Sequence, residues 1–491
     1  MTRYVCIHGH FYQPPRENPW TGRIDRQKSA LPFHDWNERI TIQCYGPNAA
    51  ARLLDGKGKV RSTLNNYSRI SFNFGPTLLS WMEKASPETY TAILASDAES
   101  ASRFFGHGGA IAQAYSHMIM PLASSRDKKT QVIWGVGDFR HRFGRDPEGM
   151  WLPETAVDVE TLEIMAEEGI LFTVLAPHQA RRIREEGAWK NVPAGQLDIK
   201  EPYRCLLPSG RSIAIFFYNG TVAHDIAFGS LLRDGGLFAR RMVEVASGEG
   251  VRLSHVAVDG ETFGHHHRFG EMALAYCLET IEKGQDARLT VYGEFLEKFP
   301  PVKEVEIAEN TSWSCSHGVE RWRSDCGCRA GDHPEWKQMW RGPLRESLDG
   351  LRAKVDSLFE EEGRKYFDDP WEARDGYIDA ILSGRNKPRG AALTLLEMER
   401  NAMLMFTSCG WFFDDISRIE TLQILRYAAR TAELAGEVSG RDFMGPFLEA
   451  LEKVPGNTEE MPNARVAVEG DLNTLDVRRE PETRRQEGQD P

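Results

Sequence analysis

The stretch HVAVDGE, residues 255–261, decides the fold, because an apolar run of strand length ends there in two carboxylates. Short apolar runs that stop at polar residues are typical of buried strands in parallel sheets. The stretch WLPE, residues 151–154, likewise carries a carboxylate where an apolar run ends. Functional groups of parallel α/β folds lie at the carboxyl ends of strands, so Asp259 and Glu154 are the first candidate site residues.

Up to about residue 300, strand patterns alternate with helical ones. The runs YVCI at 4–7, ending at His8, and ILFTVL at 170–175 predict strands. Between 133 and 143 the apolar residues recur every three or four positions, which predicts a helix that Gly144 ends. This alternation predicts βαβ units and a parallel sheet, and it leaves open whether the sheet closes into a barrel.

Beyond about residue 340 the strand patterns stop. Leucine and valine residues from 344 to 358 recur at spacings of three and four, and 391–406 and 419–434 also have helical patterns. From about 456 the composition becomes polar and proline-rich, which predicts disorder. We therefore expect an α/β domain at 1–300, an all-α domain at 301–455 and a disordered tail at 456–491.

The charge and composition limit the kinds of partner. With 60 Lys and Arg against 72 Asp and Glu, the formal net charge is −12, which argues against a nucleic-acid or anionic-membrane partner. A neutral polysaccharide or oligosaccharide is compatible with this charge. The N-terminus has no apolar stretch typical of a secretory signal, and no window approaches the roughly 20 apolar residues of a membrane span. We expect a cytoplasmic protein with reduced thiols, and the oligomeric state does not follow from the sequence.

Two carboxylates from different strand ends suit glycosidic-bond chemistry, in which one attacks the anomeric carbon and the other protonates the leaving oxygen. A single such acid is most often a solvated loop residue, but a third strand end, HGH at 8–10, strengthens the functional interpretation. His8 and His10 suit either a metal ion or hydrogen bonds to sugar hydroxyls. The tract HHH at 265–267 lacks a further metal donor at a recognisable spacing and predicts a polar rim of the cleft.

The segment around Cys315, Cys326 and Cys328 lacks the two-residue spacing of a zinc ribbon, so buried thiols are expected there. Its Trp313 and His317 suit either contact with sugar rings or a link between domains. The chain has no glycine-rich phosphate loop and no glycine-framed serine nucleophile. No metal ion or other cofactor is expected.

Together these segments resemble the motifs of glycoside hydrolase family 57, the family of α-amylases, glucanotransferases and branching enzymes. HGHFYQP is similar to the first motif, with two residues inserted before the glutamine, and the resemblance covers about residues 1–330. The third and fourth motifs are the most specific. The five stretches are 8–14, GGAIAQ and SHMIMPL at 108–113 and 116–122, WLPE at 151–154, DGETFG at 259–264, and 313–318.

The resemblance implies an incomplete (β/α)7 barrel and a retaining double displacement on α-glucans without a metal ion. Glu154 would be the nucleophile, and Asp259 would act first as acid and then as base. The helical region, including CGWFFDD at 409–415, resembles an uncharacterised domain that follows the catalytic domain in one bacterial branch, and it is expected to be truncated here. The residues expected to contact substrate are His8, His10, Gln13, His117, Trp151, Glu261, His265, Trp313 and His317.

Two alternatives remain open at this point. A metal-dependent deacetylase or mannosidase-like enzyme on a related barrel would use His8 and His10 as ligands, with Asp259 completing the site. A non-catalytic glucan-binding protein would keep the groove without turnover, although the presence of both Glu154 and Asp259 argues against it.

Overall fold

A computed structural model describes residues 3–193, 195–246, 252–331 and 333–476. The contacts divide the chain into two compact units. The first contains the chain up to residue 17 together with 22–319 and 371–387, and the second contains 18–21, 320–370 and the chain from 388 onward. The domain boundary expected at residue 300 thus differs from this division, because the strand Glu304–Ile307 pairs with other strands of the first unit.

The first unit contains the strands. In chain order they are β1 (Arg3–Phe11), β2 (Ala51–Leu54), β3 (Val60–Leu64), β4 (Ser71–Phe74), β5 (Ala112–Gln113), β6 (Met150–Trp151), β7 (Phe172–Leu175), β8 (Ala180–Glu185), β9 (Ala188–Asn191), β10 (Tyr203–Leu206), β11 (Ser212–Phe217), β12 (Arg252–Asp259), β13 (Arg288–Leu289) and β14 (Glu304–Ile307).

Parallel pairing organises the strands that carry the candidate residues. β1 pairs in parallel with β12 along its whole length up to the pair His10↔Asp259, and with β4 at its carboxyl end. β5 pairs in parallel with β6, and β7 with β11. Isolated parallel bridges join β4 to Ala110, just before β5, and β7 to Gly149, just before β6. The predicted α/β class and the parallel pairing of these strands are therefore confirmed, whereas β2 with β3, β8 with β9 and β14, and β10 with β11 pair antiparallel, so the unit is mixed. β1 extends to Phe11 rather than ending at His8.

Helices alternate with these strands. Those that begin in the first unit are α1 (Trp36–Ile40), α2 (Gly46–Ala49), α3 (Pro76–Ala85), α4 (Pro87–Arg103), α5 (Ser125–Phe143), α6 (Val159–Glu167), α7 (Gly220–Ala227), α8 (Gly235–Val245), α9 (Gly270–Lys283) and α10 (Tyr292–Lys298). The helix predicted over 133–143 is the second half of α5. The Ser124 side chain caps its start by accepting from the Asp127 backbone, and Gly144 ends it in a left-handed conformation.

The helices that follow are α11 (Arg341–Gly363), α12 (Pro370–Ser383), α13 (Ala391–Leu404), α14 (Cys409–Phe412), α15 (Ile419–Ser439), α16 (Met444–Leu451) and α17 (Ala464–Asp476). In the second unit, α11, α13 and α15 pack against one another. Leu344, Leu348, Leu351, Val355 and Leu358 are buried along α11, as their spacing predicted.

The expected tail at 456–491 differs from the structure, because residues 464–476 form α17, which packs on α15 and α16. Residues 477–491 lie outside the described part of the chain. Within the described ranges, every helix is too short or too polar to span a lipid bilayer.

Candidate active site

Glu154 follows β6 in a single turn of 3-10 helix, Pro153–Thr155, and has a left-handed backbone conformation with φ of 57°. A non-glycine residue adopts this conformation at a cost of about 1–3 kcal/mol, which the surrounding structure must offset. Its half-buried carboxylate is held from the loop after β14. Trp313 Nε1 donates to Glu154 Oε2 at 3.0 Å, and the Ser314 hydroxyl donates to the same oxygen at 2.5 Å.

The backbone strengthens this pairing, because the Trp313 amide donates to the Glu154 carbonyl at 3.0 Å. Hydrogen bonds donated to a carboxylate favour its ionised form. These hydrogen bonds therefore orient the Glu154 carboxylate. Trp313 thus reaches the site predicted for it, although its indole N–H contacts the carboxylate rather than standing free for a sugar.

Asp259 is the last residue of β12 and lies opposite His10 of β1. Its side chain is exposed, yet the surrounding protein still limits the hydration of the carboxylate. This desolvation, followed by the negative charges of Glu261 and Glu154, raises the pKa of Asp259 well above its usual range. The two carboxyl groups thus differ in environment: hydrogen bonds stabilise the charge on Glu154, whereas neighbouring charge and limited hydration favour a proton on Asp259.

The Glu261 side chain is buried near the carboxyl end of β12. Its Oε1 accepts from the Tyr12 backbone amide at 3.0 Å and from the Tyr45 hydroxyl. Burial raises the pKa of Glu261 to about 7, against which the hydrogen bonds act. Glu261, expected from sequence to contact substrate, is placed to fix the loop after β1 and to add negative charge near Asp259.

Three buried histidines, His8, His10 and His117, form a hydrogen-bonded column at the end of β1. Asn73 of β4 lies between the first two: its Oδ1 is 3.1 Å from His8 Nε2, and its Nδ2 is 2.9 Å from His10 Nδ1. His10 Nε2 then lies 3.2 Å from His117 Nε2. With His8 donating to Asn73 and His10 donating to His117, all these contacts are satisfied by neutral rings.

Burial lowers the pKa of His8 and of His10 to about 3, and that of His117 well below its usual value. The imidazoles are therefore neutral at physiological pH and act as hydrogen-bonding groups rather than cations. Tyr12 stacks on His117 with ring centroids 3.8 Å apart, so one of the two inserted residues of the first motif belongs to this column.

Trp151 packs against the histidine column. Its ring stacks on His8 and His10 with centroids 4.8 and 5.1 Å away, and it meets the Trp313 ring edge-on at 5.1 Å. Because Trp151 is completely buried, it orients the histidines and Trp313 instead of presenting a face to a sugar ring.

Asn73 and Gln113 were not among the residues expected from the sequence, yet both belong to this group. Asn73 Nδ2 donates to Gln113 Oε1 at 2.7 Å, and both side chains are buried. Gln113 Nε2 and Trp151 Nε1 are buried donors with no acceptor among the residues that the structure describes. A polar residue inside the apolar strand SFNF at 71–74 was the available signal for Asn73, since buried polar side chains require partners.

The remaining candidates, Gln13 and His265, have partners outside the histidine column. Gln13 accepts from Arg16 Nη2 at 2.9 Å. His265 Nδ1 lies 2.7 Å from Gln43 Oε1, and burial together with His266 lowers its pKa to about 4. His265 also lines a surface cavity of about 650 Å³, whose lining does not include Glu154 or Asp259.

The first motif does not form a metal site in the part of the chain that the structure describes. His8 and His10 belong to no group of donors close enough together for a metal ion, and their ring nitrogens contact Ser71, Asn73 and His117.

The fold resembles solved structures at low sequence identity. The exo-type maltose-forming amylase from Pyrococcus sp. ST04 superposes with a TM-score of 0.70 at 15% identity, over 97% of this chain and 89% of that one. The GH57-type branching enzyme from Pyrococcus horikoshii gives 0.58 at 16% identity, over 95% and 96%. The 4-α-glucanotransferase from Thermococcus litoralis gives 0.56 at 15% identity, over 89% and 60%. At these identities the likeness concerns the fold.

Sequence comparisons agree with the resemblance seen in the motifs. A segment of 106 residues is 32% identical to alpha-amylase 1 of Dictyoglomus thermophilum, and it covers 22% of this chain and 15% of the length of that relative. Residues 106–308 match the model of glycosyl hydrolase family 57, and 336–469 match a domain of unknown function, DUF3536. The chain is thus similar to glycosyl hydrolase family 57 over 106–308 and to DUF3536 over 336–469.

Proposed function

We propose that this chain is a retaining enzyme that cleaves or transfers α-glucosidic bonds of α-glucans, with Glu154 as nucleophile and Asp259 as acid and base. The observation that carries the proposal is the pair of donors on Glu154 Oε2 from Trp313 and Ser314, beside a second carboxyl group whose pKa is raised. One ionised and one protonated carboxyl group are the starting state of a retaining reaction.

In the first step, Asp259 gives its proton to the glycosidic oxygen while Glu154 attacks the anomeric carbon. The glycosidic bond breaks, and an ester joins the sugar to Glu154. In the second step, the Asp259 carboxylate takes a proton from water or a sugar hydroxyl, whose oxygen displaces Glu154. Hydrolysis and transfer differ only in this acceptor.

The scaffold of the proposal is an incomplete (β/α)7 barrel. It is supported by the parallel succession β12, β1, β4, β5, β6, β7 and β11 through ladders and single bridges. The Asn219 amide, just after β11, donates to the His255 carbonyl of β12 at 2.9 Å, which brings the last strand beside the first. Such a barrel gathers the carboxyl ends of β1, β6 and β12 around one opening.

In this proposal, the nine candidate residues contribute to substrate binding in different ways, according to their surroundings. The histidine column provides neutral hydrogen-bonding groups, and the buried Gln113 and Trp151 act by supporting it. Trp313 contributes ring surface beside Glu154. Gln13, His265 and His317 are proposed to contact more distant sugar units, and Glu261 acts through the charge and position of its neighbours.

The test compares the parent chain with Glu154→Gln on maltoheptaose and amylose. We expect the parent to shorten or redistribute these glucans with retained anomeric configuration, read by NMR of the first products. Glu154→Gln should lose this activity because the substitution keeps the shape but removes the nucleophilic charge. A slowly released fluorosugar should label the peptide that contains Glu154 in the parent alone.

Glu167→Gln, the same substitution at an exposed position of α6, is the matched control and should keep parent activity. Undiminished turnover in Glu154→Gln, or products of inverted configuration, would overturn the proposed mechanism.

A further inference from the structure

A surface cavity of about 650 Å³ lies where α8 and α9 begin, entirely within the first unit. Its arginines and aromatic residues are Arg52, Arg233, Arg268, Phe269 and Tyr276. Among the residues that the structure describes, no aspartate or glutamate lines this cavity, so neither proposed catalytic carboxylate belongs to it. We propose that this arginine cavity binds an organic phosphate, whose phosphoryl group contacts the arginines and whose ring contacts the aromatic side chains.

The three arginines of the cavity are available to a ligand. All of them are exposed, and in the described ranges none forms an ion pair with a carboxylate. Arg52 Nη2 lies 3.8 Å from the Met272 sulfur, and the Arg268 guanidinium lies 4.8 Å from the centroid of the Phe269 ring. These contacts leave most of the guanidinium N–H donors unused.

Other arginines beside α9 do have acidic partners. Arg61 forms an ion pair with Glu279, and Arg69 Nε lies 3.0 Å from Glu282 Oε2. Both carboxylates lie in the second half of α9, whereas the arginine cavity lies at its beginning. In a chain with a net charge of −12, a group of arginines without ion-pair partners creates a local positive potential that attracts anions.

The positive charge continues into a second surface cavity of about 650 Å³. Arg52, Arg268 and Phe269 line both cavities, and the second adds Arg39 and one acidic residue, Glu271. Burial raises the pKa of Glu271, whereas Arg52 acts in the opposite direction. With four arginines and one carboxylate, the two cavities together have a positive charge.

Two histidines of the tract at 265–267, His266 and His267, also line the arginine cavity. Burial, followed by the charge of His267, lowers the pKa of His266. His267 Nε2 lies 2.8 Å from the Ala227 carbonyl oxygen and donates to it. The lasting positive charge of the cavity is therefore that of its arginines, which stay protonated across the physiological pH range.

A phosphoryl group matches this arrangement. The planar guanidinium presents parallel N–H donors that bind two phosphate oxygens at once. Three such groups around one cavity neutralise the roughly two negative charges of a phosphate monoester. The volume of about 650 Å³ lies within the roughly 300–1,000 Å³ typical of small-molecule sites, so the cavity has room for more than an inorganic anion.

The aromatic residues supply a surface for the ring of the ligand. Phe269 and Tyr276 are 49% and 46% exposed. Phe269 has a left-handed φ of 68°, which a bulky residue seldom adopts and which recurs at ligand sites. A Cβ at Gly235 would lie 2.9 Å from Tyr276 Cβ, so glycine allows α8 to begin directly against this side chain. Exposed aromatic faces stack on sugar rings and nucleobases, which are the two sources of such a phosphate.

The cavity contacts the loop that follows the proposed acid and base. This loop joins β12 to α9, begins directly after Asp259 and includes Arg268. Within it, the His266 amide donates to the Glu261 carbonyl at 2.9 Å. A ligand held by Arg268 is thereby linked to the residues around Asp259. This consequence rests on the proposed function, whereas phosphate binding itself does not.

The test is isothermal titration calorimetry of the full chain at constant ionic strength. The probes are glucose 6-phosphate and adenosine monophosphate, with inorganic phosphate, glucose and adenosine for comparison. We expect one site per chain and a Kd below about 1 mM for at least one of the two organic phosphates. Inorganic phosphate and the uncharged probes should bind at least about tenfold more weakly. The tighter organic phosphate shows whether the ring is that of a sugar or of a nucleobase.

Arg52→Gln and Arg268→Gln should each raise the Kd about tenfold or more, because each removes charged hydrogen bonds to the phosphoryl group. Arg181→Gln is the matched control, since it makes the same change at an exposed arginine of β8 outside both cavities, and it should keep the parent Kd. All these side chains are exposed, so each variant should unfold at the Tm of the parent.

The absence of saturable binding of either organic phosphate up to about 10 mM would overturn the proposal. A parent Kd in both cavity variants, or an equal loss in Arg181→Gln, would do the same. Organic phosphates that bind no more tightly than inorganic phosphate would overturn the contact with the ring.

Glu154→Gln separates this site from the proposed active site and should keep the parent Kd. Binding lost in Glu154→Gln would place the ligand in the active site and overturn the proposal. Calorimetry needs no turnover, so an inactive parent that binds an organic phosphate would contradict the proposed function alone.

Discussion

Replacing Ser314 by alanine removes one of two hydrogen bonds to the proposed nucleophile. Ser314 Oγ and Trp313 Nε1 lie 2.5 and 3.0 Å from Glu154 Oε2. A hydrogen bond to a charged group contributes about 1.5–3 kcal/mol. Since about 1.4 kcal/mol corresponds to one pKa unit, we expect the pKa of Glu154 to rise by about one to two units in Ser314→Ala.

The direction of the effect on rate follows from the role of Glu154. A nucleophilic carboxylate reacts only when ionised, so kcat/KM falls as the pH drops through its pKa. A higher pKa therefore moves the acid limb of the kcat/KM profile to higher pH by about one to two units. Well below the limb of the parent, the variant should be about 10- to 100-fold slower, with a smaller change at the optimum.

The assay is the initial rate on an activated aryl maltooligosaccharide across the acid limb, for the parent, Ser314→Ala and Ser230→Ala. The last variant makes the same change at an exposed serine and should reproduce the parent profile. An acid limb that stays in place in Ser314→Ala would refute the reasoning, because the hydroxyl would then not stabilise an anion needed for turnover.

Three further predictions concern charge and packing. Glu261→Gln removes a negative charge that raises the pKa of Asp259, so the alkaline limb of kcat/KM should move to lower pH; an unchanged limb would contradict the coupling. Burial lowers the pKa of His255 from 6.5 to about 4, so stability present above pH 6.5 is lost as the pH falls towards 4. Between pH 7 and pH 5, the free energy of unfolding in urea should fall by about 2 kcal/mol more for the parent than for His255→Gln. An equal fall in both proteins would contradict a role of His255 in this pH dependence. Buried Arg374 donates from Nη1 to Asp127 at 2.9 Å, so Arg374→Ala should lower the unfolding free energy by about 3–5 kcal/mol; a loss below about 1 kcal/mol would contradict a buried ion pair.

The sequence predicts the local parts of the fold well. Alternating apolar runs and helical patterns predict the parallel α/β arrangement, and the run before Asp259 predicts β12, because both depend on neighbouring residues. The same reasoning placed His8 and His10 at a strand end. The predicted strand β1 ended at His8, before its observed end at Phe11. Alternation of apolar and polar residues cannot mark the end of a strand when nearly every residue of that strand is buried.

Contacts between distant parts of the chain were not predictable in the same way. Ser314 lies 160 residues from Glu154 in sequence, and no local pattern indicates that its hydroxyl reaches that carboxylate. Glu261 follows Asp259 so closely that both were expected to face the substrate, but the turn after β12 directs Glu261 towards Tyr45. The polar composition after 456 predicted disorder, whereas packing on α15 and α16 accompanies the helix at 464–476.

The neutral histidine column has a consequence for which sugars the site selects. At neutral pH His8, His10 and His117 carry no charge, because burial lowers each pKa. Beside them stand three acidic side chains, of which Glu154 is the ionised one in the proposed starting state, while Asp259 and Glu261 have raised pKa values. The charge near the column is therefore negative, and no imidazolium offsets it. Uronic acids and sulfated or phosphorylated sugars are repelled by such a charge, whereas uncharged hexoses are not. If the proposed function holds, the neutral imidazoles make the site discriminate against anionic glycans.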